Sequence, residues 1–563
     1  MRACSEDVGG VSLGLMVRWF CGSLTPMQDY DVIIIGAGHN GLTCAAYLGM
    51  AGIKVKVVER RAIVGGAAVT EEFFPGFRNS IAAYTVSLLH PRIIAELRLA
   101  EHGLKIVERR AQNFVPALDG RYLLAAEGAT AGNVAALSRA DGERYDAFNR
   151  GLDASADLLR ELILQAPPNL RRGVSLESLR ELIKMARFSN RIRRLSTESL
   201  STMLDLFFKS AGDYLDGWFE GDLVKALFGF DAIVGNYVSP YAPGSAYVLL
   251  HHAFGEVNGK KRTWGHAIGG MGAITQAMAR VATSCGVEIE TEAPVREVLV
   301  EKGRATGVVL GSGRVIRAAA VAANVDPKRL YTALVPAGAL DAAFLRRMRA
   351  WRCGSGTFRM NVALSELPSF AARPGRAPQD HHSAGIILAP SLAYMERAFW
   401  DARVLGWSRA PIIEMVIPST LDDTLAPRGA HVASLFCQHV APELPDGSSW
   451  DERREQVADL MVETVERFAP GFAGSVVGRQ ALTPLDLERV FGLTGGDIFH
   501  GALSLDQLFW ARPALGYADY RSPLRGLYHC GSGAHPGGGV TGAPGHNAAR
   551  AIIVDWRKGR WSR

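Results

Sequence analysis

Tyr30-Asp-Val-Ile-Ile-Ile35 runs straight into Gly36-Ala-Gly38-His39-Asn40-Gly41, and Leu42–Ala51 follows, a stretch of mainly Ala and Leu with Cys44. A short β-branched run bounded by glycine reads as a buried strand, and the stretch after the loop reads as a helix. Strand, Gly-x-Gly-x-x-Gly turn and helix form the geometry that seats a dinucleotide pyrophosphate. Gly36 permits the sharp turn, Gly38 lets the backbone approach the phosphates, and Gly41 lets helix and strand pack closely. His39 and Asn40 complete the loop. The helix N-terminus behind it offers unpaired N–H groups and a partial positive charge to an anion.

The chain holds 61 glycines, so one such match carries little weight and the surroundings decide. A second strand, Lys54–Val58, ends in Glu59. It lies about twenty residues past the first glycine, where an acid accepts hydrogen bonds from a ribose and disfavours a 2′-phosphate. Arg60 follows, then Gly65-Gly66 and Thr70, which extend the phosphate-facing surface. Acid, basic residue, paired glycines and Thr in that order resemble the pattern of one large group of flavoproteins, and that resemblance implies FAD. Near the other end, Leu527–Cys530 reads as a short strand leading into Gly531-Ser-Gly-Ala-His-Pro-Gly537-Gly538-Gly539-Val540-Thr-Gly542. A helix carrying Ala548, Ala549, Ile552 and Ile553 comes next. Its N-terminus, aimed at a flavin pyrimidine edge, would stabilise the negative charge of reduced flavin.

The 563 residues, 48% hydrophobic and 21% charged, suit a globular chain of several domains. A net charge of +6 over that length, without interleaved aromatic and basic residues, gives no reason to expect nucleic acid as a partner. No apolar run reaches the roughly 18–20 residues that span a bilayer. Seven cysteines include no Cys-x-x-Cys, so neither a redox pair nor a zinc knuckle is expected, and no metal-ligand cluster stands out. Residues 1–26 mix Arg2 and Arg18 with Glu6 and Asp7. They read as an upstream extension or misassigned start, with a weak targeting segment as the alternative.

From about Tyr30 to Asp555 the chain resembles the phytoene-desaturase-like FAD-dependent oxidoreductases. The matching stretches are Gly36–Leu42, Glu59–Arg61, Gly65–Glu72, Ser239–Ser245, Tyr247–His252, Gly269–Ala273, Thr483–Arg489, Asp497–Leu508 and Tyr528–Gly542. Ala67 stands where carotenoid desaturases usually carry Arg. The resemblance implies an α/β fold with a discontinuous, glutathione-reductase-like Rossmann-type FAD domain (about 27–100, 256–330 and 496–563). A mixed α+β substrate domain (101–255 and 331–495) completes it, and Val295 meets the adenine through its backbone. It further implies hydride abstraction from an apolar, polyene- or lipid-like substrate. Flavin amine oxidation is the enzymatic alternative. Rab GDP-dissociation inhibitors resemble the same scaffold, so an FAD-containing regulatory protein is the alternative of another class.

Gly269-Gly-Met-Gly272 and Gly311-Ser-Gly313 lack the third glycine and the strand–turn–helix setting of a second dinucleotide site. Reoxidation therefore falls to oxygen, a quinone or another diffusible acceptor. Flavin takes the hydride itself, which leaves the protein to supply position, dryness and a proton acceptor. His500, His251 and His252 are the candidates for that last role, each with a structural alternative, while His535 is expected to line the cofactor. Residues 170–196 carry seven arginines and Lys184 with Leu176, Leu179, Ile183 and Ala186 at helical spacing. They suit peripheral docking on an anionic membrane or a solvated helix face. The Ala/Arg/Gly-rich composition suits a bacterial cytoplasm; a eukaryotic source would imply the mitochondrial matrix.

Overall fold

The computed structural model describes residues 29–169 and 195–561, with scattered positions between 183 and 193. The expected extension 1–26 and most of the basic stretch 170–196 lie outside the described residues.

The opening strand is central. β1 (Tyr30–Ile35), α1 (His39–Met50) and β2 (Val55–Val58) form the first strand–helix–strand unit. The chain returns much later with α2 (Gly272–Ser284), β3 (Glu288–Glu290), β4 (Val295–Glu301), β5 (Arg304–Leu310) and β6 (Val315–Ala323). Its last visit supplies β7 (Leu527–His529) and α3 (Ala543–Arg557). The parallel strands lie in the order β3-β2-β1-β6-β7. β6 serves two layers: its start pairs antiparallel with β5 in a β4-β5-β6 meander, and its end pairs with β7.

β1 has no polar face because both of its faces are covered, the usual state of a parallel sheet. Val32 and Ile34 pack with Leu42, Ala45, Met278 and Ile552 of the three helices. Ile33 and Ile35 pack on the other side with Val298 and Val308 of the meander. Tyr331, Leu334, Phe344 and Met348 join that second cluster. The sequence expectation put residues 331–495 in the substrate domain; the stretch 331–348 instead covers the nucleotide sheet, whose second face the meander alone leaves bare. α1 also begins at His39 rather than Leu42, so the loop is tighter than its spacing suggests.

The second unit is a mixed seven-stranded sheet. Its order is Val476–Leu482, Phe358–Leu364, His431–Val440, Trp407–Val416, Gly385–Leu388, Asn113–Pro116 and Tyr122–Ala125. Alternation decides its two faces. Met360, Ile413 and Leu435 meet Val457, Met461 and Val465 of the helix Trp450–Phe468. Ile387, Ile412 and Phe436 meet Phe148, Phe228 and Leu249 of the helices Arg139–Ile163, Asp222–Ile233 and Ala246–His252. Among the described residues no helix is long and apolar enough to cross a membrane.

α3 is pinned by one buried carboxylate. Asp555 accepts from Arg521 Nε at 2.8 Å and from the Tyr528 hydroxyl at 2.8 Å, tying the helix to β7. Burial would push this carboxyl up, but Arg521 and the Tyr528 hydrogen bond outweigh it and hold it below the usual range. Its stabilisation is therefore complete above the unfolded carboxyl value of about 4 and fades as pH falls through the lower folded one. Asp555→Ala leaves Asp519 as the remaining carboxylate on Arg521 and removes the acceptor of the buried Tyr528 hydroxyl. It is expected to cost about 3 kcal/mol at neutral pH, read by denaturant unfolding, with the difference shrinking in acid.

Candidate active site

No side chain caps the N-terminus of α1. Its N-cap is Gly38, and the helix starts beside a cavity lined by Gly36, Gly38, His39 and Gly66. Gly36 sits at φ +91°, and a Cβ on Gly41 would lie 2.2 Å from the Gly36 carbonyl oxygen, so no larger residue fits there without moving the turn. The paired glycines lie directly against this loop: Gly65 N–H donates to Ala37 O at 2.8 Å, and a Cβ on Gly66 would stand 3.2 Å from Gly38 Cα.

Glu59, only 5% exposed, is held on both carboxylate oxygens. Ala37 N–H donates at 2.8 Å and Arg61 N–H at 3.0 Å. The acid and Val295 line the same end of the cavity, and Ala293 N–H donates to Glu59 O at 2.8 Å. Arg60 also lines it, with its guanidinium donating to Arg489 O at 2.6 Å. Asn324, at the end of β6, was not foreseen as a site residue. With its amide oxygen turned to the loop it accepts from Gly41 N–H at 3.2 Å and Gly38 N–H at 3.3 Å. Its position just past a strand that pairs with β1 is the signal that could have revealed it.

The two glycine motifs meet through the loop's middle residues. His39 Nε2–H donates to Gly539 O at 3.1 Å, and Asn40 Nδ2 donates to Ser532 Oγ at 3.0 Å. Gly539 and Val540 line the cavity. Gly531, Gly537 and Gly538 do not. A Cβ on each would meet Asn324, Leu503 and Phe499 respectively, so these three permit close packing behind the site. Gly41, Gly65 and Asn40 are likewise behind the lining. The helix α3 starts at a second uncapped glycine, Gly542. A helix N-terminus beside the cavity, a glycine-rich loop and a buried, backbone-held acid in the same lining fit FAD.

Beyond this end the cavity continues into a chamber walled by Phe230, Val234, Trp264, Phe436, Ile498 and Phe499. A polar cluster breaks the apolar wall. Tyr84 O–H donates to Glu414, Arg109 Nη1 stands 3.8 Å from the other Glu414 oxygen, and Arg109 Nη2 donates to Thr85 Oγ1 at 2.7 Å. The Arg359 guanidinium lies 4.5 Å from the Tyr84 ring centre. Burial raises Glu414 above the usual carboxyl range despite Arg109. Asp231 lines the chamber too; burial, then the Glu414 charge, push it up to about 7.

The three expected histidines do not come together. His500 and His252 line the cavity, whereas His251 lines a neighbouring pocket with Arg92 and Glu161. Burial lowers His500 to about 4, helped by the Arg512 charge, and lowers His252 to about 4. His252 Nδ1 is committed to Asp231 O at 2.8 Å and Val248 O at 2.9 Å. His535, expected beside the cofactor, lies outside the lining and donates to Leu162 O at 3.2 Å. Among the described residues no cysteine lines the cavity; Cys44 and Cys530, whose thiols meet, are fully buried.

Residues 41–357 match the family model described as flavin containing amine oxidoreductase. The chain belongs to this family. It is 42% identical over 552 residues to pyridine nucleotide-disulfide oxidoreductase domain-containing protein 2 of Rattus norvegicus, covering 95% of this chain and 94% of the relative. It is 25% identical over 548 residues to the lycopene-forming phytoene desaturase of Pseudescherichia vulneris, covering 93% and 98%. The solved structure of putrescine oxidase bound to putrescine shares the fold, with a TM-score of 0.56 and 17% identity over 94% of this chain and 99% of that one. The protein is an FAD-dependent oxidoreductase.

Two substitutions separate the acid from the turn. Glu59→Ala is expected to weaken FAD retention about 10- to 100-fold, the loss of one charged hydrogen-bonding group. Gly41→Ala should yield colourless protein with native-like circular dichroism. Flavin absorption after gel filtration reads both.

Proposed function

We propose that the protein takes hydride from a mainly apolar substrate, a polyene- or lipid-like molecule that it desaturates, and passes the electrons to oxygen, a quinone or another small acceptor. The observation that carries this reading is the continuity of the cavity from the Gly36–Gly41 loop into the Phe230, Phe436 and Phe499 chamber. FAD, when bound, supplies the hydride-accepting chemistry. The aromatic wall holds an apolar chain against it and excludes water, which protects a developing cationic carbon from side reactions. A diffusible acceptor agrees with the described residues, in which Gly269–Met271 only lead into α2 of the one nucleotide domain. Amine oxidation is the second reading, favoured by the Asp231 and Glu414 carboxyls in the chamber wall.

Anaerobic flavin bleaching tests both. Phytoene, oleylamine and cyclohexylamine are added in turn to the purified holoprotein. Bleaching by phytoene supports desaturation, bleaching by the amines alone moves the activity to the second reading, and a flavin that none of them reduces overturns hydride abstraction from apolar substrates.

A further inference from the structure

The histidines that the sequence offers are poor proton acceptors. Each is held low by burial, and His252 has one ring nitrogen committed to backbone carbonyls. Glu414 is clamped by the Tyr84 hydroxyl and faced by Arg109. Asp231 differs from all of these. It sits two residues from the end of the helix Asp222–Ile233 and lines the chamber. Among the described residues its carboxylate receives no hydrogen bond and makes no ion pair.

We propose that the Asp231 carboxylate is the proton acceptor of the reaction. This rests on the reading of the chamber as a hydride-abstraction site. The substrate loses two hydrogens. One leaves carbon with its bonding pair as hydride, which goes to the bound flavin. The other leaves the adjacent atom as a proton, which goes to an Asp231 carboxylate oxygen, and the electrons of its bond become the new double bond. The balance is the same for a C=C or a C=N product, and flavin is the only oxidant required.

The surroundings set the basicity of this group. Burial first, then the Glu414 charge, disfavour the charged form, while Arg262 and Arg109 favour it. Tyr84 faces the cluster as a neutral hydroxyl, and His252, neutral at physiological pH, grips the Asp231 backbone rather than its carboxylate. The balance lies near 7, where a general base is most effective. The sign follows: protonated and inert below that value, the carboxyl becomes a base above it, so the rate rises with pH.

The test compares wild-type holoprotein with Asp231→Asn and Asp231→Glu by anaerobic bleaching from pH 5.5 to 9, using the probe compound that reduces the wild type. The expected result for Asp231→Asn is unchanged flavin content, a roughly 100-fold slower reduction at nearly unchanged KM, and loss of the rise through pH 7. Asp231→Glu is expected to recover part of the rate. Reduction of Asp231→Asn at the wild-type rate with the wild-type pH profile overturns the proposal. If no probe reduces the wild type, the hydride-abstraction reading fails by itself. Infrared difference spectra then decide the residue: a carboxyl band titrating near pH 7 and absent from Asp231→Asn sustains the poised base, and its absence from the wild type overturns it.

Discussion

The glycine N-cap of α1, set beside the cavity, is the constraint from which the site follows. A helix N-terminus normally satisfies its free N–H groups with a Ser, Thr, Asp or Asn side chain. Here the N-cap is glycine, and α3 repeats the arrangement with Gly542. Asn324 accepts from Gly41 N–H and Thr541 Oγ1 from Ala543 N–H, while the positive end of the α1 dipole, beside the cavity, favours the charge of an anionic dinucleotide. The rest of the nucleotide domain positions these ends. β1 aims α1 at the cavity, Glu59 is locked by two backbone donors beside it, and the paired glycines crowd in where no side chain fits.

The substrate chamber is a product of how the chain alternates between two sheets. Each excursion from the nucleotide sheet contributes to the second one, and the cavity forms where they face each other. Its wall is aromatic because both layers present apolar residues to that gap. Its polar spot comes from both excursions: Tyr84, Arg109 and Asp231 from the first, Glu414 from the second. Burial makes every one of these groups reluctant to carry charge.

What could be read in advance was local. Gly36–Gly41, Glu59, Arg60 and Gly65–Gly66 lie within one strand–helix–strand unit and the turn directly after it, and sequence spacing there translates into geometry. Asn324, Asp231 and Glu414 reach the site through pairings that no spacing reveals, although an acid inside the otherwise apolar run of Ala226–Ile233 was a visible oddity. His251 and His252 show the limit at its smallest scale. Neighbours on a helix point about 100° apart, so only one of the two can face a given cavity. In the C-terminal motif the same limit applies: of three consecutive glycines, one meets the cavity and two meet Phe499 and Leu503. The stretch 331–348 was misplaced because it covers a sheet face whose need for cover is invisible until the meander is seen.

The bond between His39 and Gly539 joins residues 500 apart. Half of the cofactor cradle therefore waits for the other during synthesis. The first strand and helix emerge from the ribosome early, yet β7, Gly539 and α3 arrive only after nearly everything else has been made. Contacts of such separation close slowly, since the loop entropy is paid before they repay it. Flavin capture is thus a late event in the life of each molecule, and the nascent chain spends most of its translation with an exposed, unfilled anion cradle.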